Sequence, residues 1–412
     1  MNLCVMQISD LHLGAGVLPI GHGFGEQIAR IREQEEHELL ARIRSIIVER
    51  NIDLVLIPGD LWDQEAISIS LVRRVIDWCA ELNPLPIIIV PGNHDFLGTE
   101  SPYCDQVALR YGIEWSRNVT IVRHLDFTSF KLEGIPDFSF TAMATGMNVP
   151  ITTRQIHPDL PKSPDSANVL LFHGSLEQGG LLGQEDAKKI TAPFNREELL
   201  NAGFVYAAIG HYHSFTTIQD SSGRIRAAYS GAPFAREFRH PESKGVLVFE
   251  LDRNGVVEGS MELVPTDSRR CVQMRIDLTG TFNDSQAIAR INNQLAGMNF
   301  TENDLVRLHL IGTFGSGPFW NPGEGAIIAP ASIDLITSSL KPEFDAEKFL
   351  QTAATGSAHA VFLKRMLVLI REAELNSPVD ERRLIVLKLA MSIGNQVFNR
   401  ETPLIRTEPV LI

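Results

Sequence analysis

Along the first third of the chain, short aliphatic runs alternate with longer stretches of helical period. "LCVMQIS", "IDLVLIPGD" and "LPIIIV" are too short and too evenly apolar for amphipathic helices, and they read as strands buried on both faces. Between them, "EQIARIREQEEHELLARIRSIIVER" puts Ile28, Ile31, Leu39, Ile43, Ile46 and Ile47 on or near one face. "SLVRRVIDWCAEL" repeats the pattern until Asn83 and Pro84 end it. This β-α-β-α-β order predicts a parallel or mixed sheet covered by helices on both sides. From Val119 the pattern turns β-rich, with "TIVRHL", "TSFKLEGIP" and "NVLLFHG", and short strands split by turns follow between Ser221 and Leu251. Pro265 to Arg270 reads as a boundary. Beyond it, "CVQMRIDLTG", a polar helix near "SQAIARINNQLA" and "VRLHLIG" predict a small α+β unit, and two helices close the chain. The expected domains are 1–265, 266–340 and 341–412. In the last helix, Leu384, Ile385, Val386, Leu387, Leu389, Met391 and Ile393 leave little polar surface. Burial in the protein's own core is the expectation there, with partner docking as the alternative.

Five of the strand-like runs end alike: "VMQISDLHLG", "LVLIPGDLWD", "IIIVPGNHDF", "VLLFHGS" and "AAIGHYHSF". Four of them pass through a small or turn residue into an acid, an amide or an imidazole, and in the other Phe172 leads directly into His173 with Gly174 after it. In open α/β sheets the carboxyl ends of the strands form the ligand crevice, so these endings converge Asp10, His12, Asp60, Asn93, His94, His173, His211 and His213. Carboxylates, one amide and several imidazoles without a thiolate suit divalent manganese, iron or zinc. There are too many donors for one ion, and a carboxylate such as Asp60 can bridge two ions about 3.5–4 Å apart, a spacing suited to in-line phosphoryl displacement. Gly59, Gly92 and Gly210 precede the donors, where a turn needs positive φ or close backbone approach.

Composition narrows the setting. Across 412 residues the four cysteines, Cys4, Cys79, Cys104 and Cys271, lie far apart, which excludes a disulfide framework and a thiolate zinc site and points to a reducing compartment. The first strand begins close to Met1, leaving no room for a cleaved leader, and no aliphatic run is long enough for a bilayer. A cytoplasmic location without membrane contact is expected. The net charge of -13 argues against a basic coat, although bound cations and local arginines can still hold phosphates.

In order and approximate spacing, "SDLHLG", "GDLWD", "GNHD", "FHG" and "GHYH" resemble the five motifs of the calcineurin-like metallophosphoesterases. The resemblance covers about the first two-thirds of the chain. It implies a four-layer β-sandwich flanked by helices, and two metal ions. Asp10, His12 and His213 would hold one ion, Asp60 would bridge, and Asn93, His173 and His211 would hold the second. A hydroxide bridging the ions would attack phosphorus, with His94 catalytic at the leaving oxygen or at the charge developing on phosphorus, and Asp95 a candidate to orient it.

A finer resemblance is to DNA-repair nuclease subunits of the SbcD type. Besides the first two motifs, it rests on "IRAAYSGAPFAREFRHPESKGVLVFEL", similar to their Tyr-Pro-Gly-Ser segment and Lys-Gly strand, though Tyr229-Ser230-Gly231-Ala232 differs at two positions. It implies a manganese-dependent exo- or endonuclease acting on DNA, dimeric and partnered by an SMC-like ATPase, with a small capping domain and C-terminal docking helices. Asp63, Arg236 and Arg239 are then the expected substrate contacts, with Arg224 and Arg226 as further phosphate candidates. His22 and His240, in loops, are weaker substrate candidates. Two alternatives stay open: a phosphodiesterase for a small nucleotide-type substrate, and a non-catalytic DNA-end scaffold.

Overall fold

The computed structural model describes residues 2–16, 24–64, 67–146, 154–177, 191–238, 242–281, 283–315, 317–323, 325–341, 346–354, 356–375, 381–398 and 410–411. They fall into two compact units, Met1–Arg270 and Cys271–Ile412.

The first unit runs β1 (Leu3–Gln7), α1 (Glu26–Glu49), β2 (Leu54–Pro58), α2 (Ile69–Glu81), β3 (Ile87–Val90), α3 (Asp105–Tyr111) and β4 (Val119–Ile121). It continues with β5 (Thr128–Phe130), β6 (Phe138–Ala142), β7 (Ala167–His173), α4 (Arg196–Asn201), β8 (Tyr206–Gly210), β9 (Thr216–Gln219) and β10 (Ile225–Tyr229). The strands β11 (Gly245–Asp252), β12 (Gly255–Val256) and β13 (Glu262–Pro265) complete it. One sheet has the order β12-β11-β1-β2-β3-β4, with β13 on β11; the other has the order β5-β6-β7-β8-β10-β9. β1 to β4 are parallel, as are β6, β7, β8 and β10, with antiparallel strands at the flanks.

Strand alternation sorts the side chains into layers. Leu54 and Leu56 point into the gap between the sheets with Leu3, Val5, Phe138, Phe140 and Phe249. Val55 and Ile57 face the other way, onto Leu39, Ile43, Val75 and Trp78 of α1 and α2. On the far side, Leu170, Phe172 and Ile209 pack against Phe194 and Leu199. The result is a four-layer sandwich, which is why its central strands are continuously aliphatic. Ser68 caps α2 by accepting from Leu71 N, and Asn195 with Glu198 forms a capping box on α4.

One helix departs from its periodic reading. Leu39, Leu40, Ile43, Ile46 and Ile47 bury the second half of α1, but in the first half Ile28 and Ile31 are only half-buried. The residue fully enclosed there is Arg32.

The second unit opens with β14 (Cys271–Asp277), α5 (Asp284–Ala296) and β15 (Leu305–Thr313), a crossover joining parallel neighbours. β16 (Ser332–Ile336) and β17 (Leu340–Lys341) also pair with β15. Ala287, Ile291 and Leu295 of α5 cover one face of this sheet. The helices α6 (Ala346–Thr352), α7 (Ala358–Leu375) and α8 (Glu381–Phe398) follow, and β18 (Val410–Leu411) lies antiparallel on β14. Gly394 of α8 meets the Phe362 ring of α7 so closely that a Cβ there would lie 2.2 Å from it. α8 is not enclosed as its composition suggested, since Val386 and Val397 are more than half exposed. Among the described residues no helix is long and apolar enough to cross a membrane.

Candidate metal centre

The site forms where β1, β2, β3, β7 and β8 end. The loops after β1 and β2 run on together: Asp10 N donates to Gly59 O at 3.1 Å and His12 N to Asp60 O at 3.0 Å. Asp10, His12, Asp60 and His211 all hold positive φ, at 55°, 45°, 55° and 115°. L residues rarely adopt this backbone, and at a functional site it signals side chains aimed at cost to the chain. Gly59 also has positive φ and would place a Cβ 2.2 Å from His173 Nδ1. Gly210 needs room rather than a special φ, because its Cβ would fall 2.0 Å from Pro58 O.

The donors converge as two groups around one carboxylate. Asp60 Oδ2 lies 3.6 Å from His12 Nε2 and 3.3 Å from His173 Nε2. On the first side, His12 Nε2 faces His213 Nε2 at 3.1 Å, and Asp10 joins them in a cluster of ligand-competent atoms within 4.8 Å of one another. On the second, Asn93 Oδ1 lies 2.9 Å from His173 Nε2 and 3.2 Å from His211 Nδ1. Asp10 accepts from His211 N and from Ser9 Oγ. His173 Nδ1 faces Pro58 O at 3.0 Å, an acceptor that keeps a proton on Nδ1 and leaves Nε2, on the Asp60 side, as the nitrogen that would ligate a metal.

Crowding these groups into a buried space divides their proton affinities. Burial opposes charge on Asp60, but His173, its hydrogen bond, and then His12 and His94 hold the carboxyl well below its ordinary range. Burial also opposes a proton on His173, yet Asp60 outweighs it and lifts the imidazole to about 9. Burial and then the charge of His173 push His211 down to about 3, and burial depresses His12 well below its usual value. Facing imidazole nitrogens and two buried carboxylates form an acceptor-rich cradle, which fits divalent cations with oxygen and nitrogen ligands.

These observations agree with a family profile of calcineurin-like phosphoesterases, which matches residues 4–215. This chain belongs to that family. Within the family, an uncharacterized metallophosphoesterase, YhaO of Bacillus subtilis, is 28% identical over 269 residues, covering 62% of this chain and 59% of that protein. The DNA double-strand break repair protein Mre11 of Saccharolobus solfataricus is 21% identical over 320 residues, 74% of each chain. The SbcD component of the SbcCD nuclease of Staphylococcus epidermidis is 24% identical over 304 residues, 66% of this chain and 75% of its own.

The remaining residues singled out by motif fall in different places. His94, partly exposed, sits edge-on to His12 with ring centroids 4.6 Å apart, and its Nδ1 lies 3.5 Å from Asp63 Oδ2. Asp95 does not orient His94. It is fully buried and accepts from Asp60 N, Leu61 N, Gly92 N and Tyr103 Oη at 3.0, 2.9, 2.6 and 2.7 Å. Burial and then the charge of Asp60 raise it to about 6. Asp95 thus clamps the second and third loops together, and Asp63 is the carboxylate beside His94.

Arg236 is committed elsewhere than to an open phosphate site. Its guanidinium donates to Leu11 O, Gly16 O and Glu36, at 2.8, 3.3 and 2.6 Å, and is largely buried. Arg224 and Arg226 flank the start of β10, whereas Ser230 past its other end hydrogen-bonds Ser9. Along the strand, Arg226 lies roughly 13 Å and Arg224 roughly 20 Å from Ser230. Arg239, His22 and His240 lie outside the described residues. Motif reading missed Tyr103, buried at Asp95, Lys244, whose Nζ donates to His213 O at 2.9 Å, and Glu237, 3.3 Å from His213 Nδ1. Tyr103 lies in a stretch of ordinary composition, and Glu237 and Lys244 fall in the segment of the finer resemblance, but only the fold brings them to Asp95 and His213.

Proposed function

We propose that this protein is a two-metal phosphodiesterase whose substrate is DNA, a manganese-dependent nuclease subunit working as a dimer with an SMC-like ATPase. The observation that carries the two-metal reading is Asp60, one carboxylate oxygen within 3.6 Å of His12 and 3.3 Å of His173, with a separate donor group on either side. Asp10, His12 and His213 hold the first ion in this reading, and Asn93, His173 and His211 the second. Such a pair supplies Lewis acidity and an activated water nucleophile. Iron or zinc would satisfy the same donors.

His94 acts at the mouth of the site. With Nδ1 turned to Asp63, its Nε2 is the nitrogen left for the substrate, and as the imidazolium, whose charge Asp63 balances, His94 donates from Nε2 to the leaving oxygen or to charge developing on the phosphoryl group. Asp95 and Tyr103 keep the Asp60 and Asn93 loops in register. The DNA reading draws on the Mre11 and SbcCD nuclease relatives, each covered over about three-quarters of its length. Under it, the C-terminal helices of the second unit dock the ATPase.

A small-diester phosphodiesterase is the second reading. The engagement of Arg236 and the distance of Arg224 and Arg226 favour it, because no arginine among these three lines an open backbone track.

Manganese-dependent hydrolysis of linear duplex DNA and of bis-p-nitrophenyl phosphate, by wild type and His94→Ala, tests both. Cleavage of both substrates, falling about 10²–10⁴-fold in the variant, is the expected result. Diester hydrolysis without DNA cleavage, even with an ATPase partner added, transfers the assignment to a small substrate. Manganese binding without hydrolysis of either substrate supports a scaffold.

A further inference from the structure

The loop from Ala232 to Glu237 touches the first donor group at three points, none of which is itself a candidate ligand. Ala232 N donates to His213 O at 3.2 Å. Arg236 donates from Nη2 to the carbonyl of Leu11, the residue between Asp10 and His12, at 2.8 Å. Glu237 Oε1 lies 3.3 Å from His213 Nδ1, on the side of the ring away from His12.

This loop is anchored from behind. Asp267 Oδ2 accepts from Ala235 N at 2.7 Å, and Arg32 Nη2 donates to Ala235 O at 2.7 Å. Arg32 and Asp267 form a two-pronged ion pair at 2.8 and 2.9 Å, both side chains wholly enclosed, with the Phe234 ring 3.8 Å from the guanidinium. Both contacts fall on Ala235, two residues before Glu237, so the backbone leading into Glu237 is held from behind and presents the carboxylate to His213 from a braced support.

We infer that Glu237 is a positioning residue for His213: its carboxylate takes the Nδ1 proton of the ring, so that Nε2 is presented to the first metal as a lone pair. An imidazole can ligate through Nε2 only when its proton sits on Nδ1, and an acceptor at Nδ1 selects that tautomer and strengthens the donor nitrogen. The buried His173 obtains the same service from a main-chain oxygen, Pro58 O. His213 lies nearer solvent, with its side chain 29% exposed, so water would compete for Nδ1 if no fixed acceptor stood there. A carboxylate also adds negative charge beside the cation. This role rests on the reading of His213 as a ligand.

The test uses the full chain. Manganese is titrated into wild type, Glu237→Ala, Glu237→Gln and His213→Ala by calorimetry, thermal midpoints are taken in EDTA, and the His213 tautomer is read from ¹⁵N ring shifts. Glu237→Ala is expected to weaken one manganese site about 10–100-fold, move the midpoint in EDTA little, and lose the Nδ1–H tautomer. Glu237→Gln, which keeps an acceptor oxygen, is expected to recover part of both. Wild-type affinity and tautomer in Glu237→Ala, with affinity lost in His213→Ala, overturn the role of Glu237 alone. Unchanged affinity in His213→Ala overturns the two-metal reading on which it stands. Weakened binding in Glu237→Ala that matches a fall of the midpoint in EDTA, with the tautomer unchanged, reduces Glu237 to a structural contact and overturns the inference.

Discussion

Asp10, His12, Asp60 and His211 hold their side chains inward only by accepting left-handed backbone, at about 1–2 kcal/mol each for an L residue. Neighbours that leave no alternative sustain the strain: the Asp95 carboxylate on three amides, and glycines where strands nearly touch. Gly210 is the sharpest case, because a methyl group there would meet Pro58 O at 2.0 Å and His173 Nδ1 at 2.8 Å. Gly210→Ala is expected to part the end of β8 from β2, costing roughly 1–3 kcal/mol and weakening manganese binding at the His173 side. Thermal melts with and without manganese check it, and equal midpoints for variant and wild type would mean that the strands can yield. At this scale the motifs told which residues to expect. The separate work of Asp63 and Asp95 was hidden, since both acids follow the same kind of glycine turn in sequence. Only burial and direction distinguish the one beside His94 from the one beneath the loops.

Helix α1 shows where periodicity stops being informative. Its second half follows the apolar spacing into the core against Trp78 and Val75, as the pattern predicts. Its first half turns Arg32, Glu35 and Glu36 toward other charges: Arg32 to Asp267, Glu35 to Arg269 and Glu36 to Arg236. A buried ion pair looks polar in sequence and so mimics a solvated face. Because the Arg32 and Asp267 side chains are both fully enclosed, Asp267→Ala strands a charge in the interior and is expected to destabilise the fold by about 3–5 kcal/mol. Urea unfolding measures it. A loss under about 1 kcal/mol would mean that water reaches Arg32 or that Glu35 suffices as its partner.

Across the whole molecule, both units hold histidines that resist protonation, His12 and His211 in the first. In the second, His309 on β15 has a buried Nε2 with no hydrogen-bond partner among the described residues. Burial, then Arg307 and Arg275, lower its pKa below the ordinary value. The unfolded chain therefore takes up a proton near pH ~6.5 that the folded unit resists. Stability from this residue is intact above that pH and lost as the pH falls through it toward the depressed folded value. His309→Gln is expected to flatten the fall of the second unit's thermal midpoint between about pH 7 and pH 5.5. Parallel slopes for variant and wild type would assign acid sensitivity to other groups.

The alternation of strands and helices in the first unit, the core-facing half of α1 and the set of acids, amide and imidazoles that gather at the strand ends were all legible in the chain's letters. Those features are local: they follow from side-chain period, turn chemistry and short spacing. Which groups share a proton, which arginines are already engaged, and that Glu237 stands behind His213 depend on residues up to 235 positions apart, as in the pair Arg32 and Asp267. Such contacts leave no periodic trace, because burial of a charge is decided by what the fold places opposite it. Two strands ending at one crevice can be read in a line of letters, but the direction of each side chain there was decided only when the sheets packed.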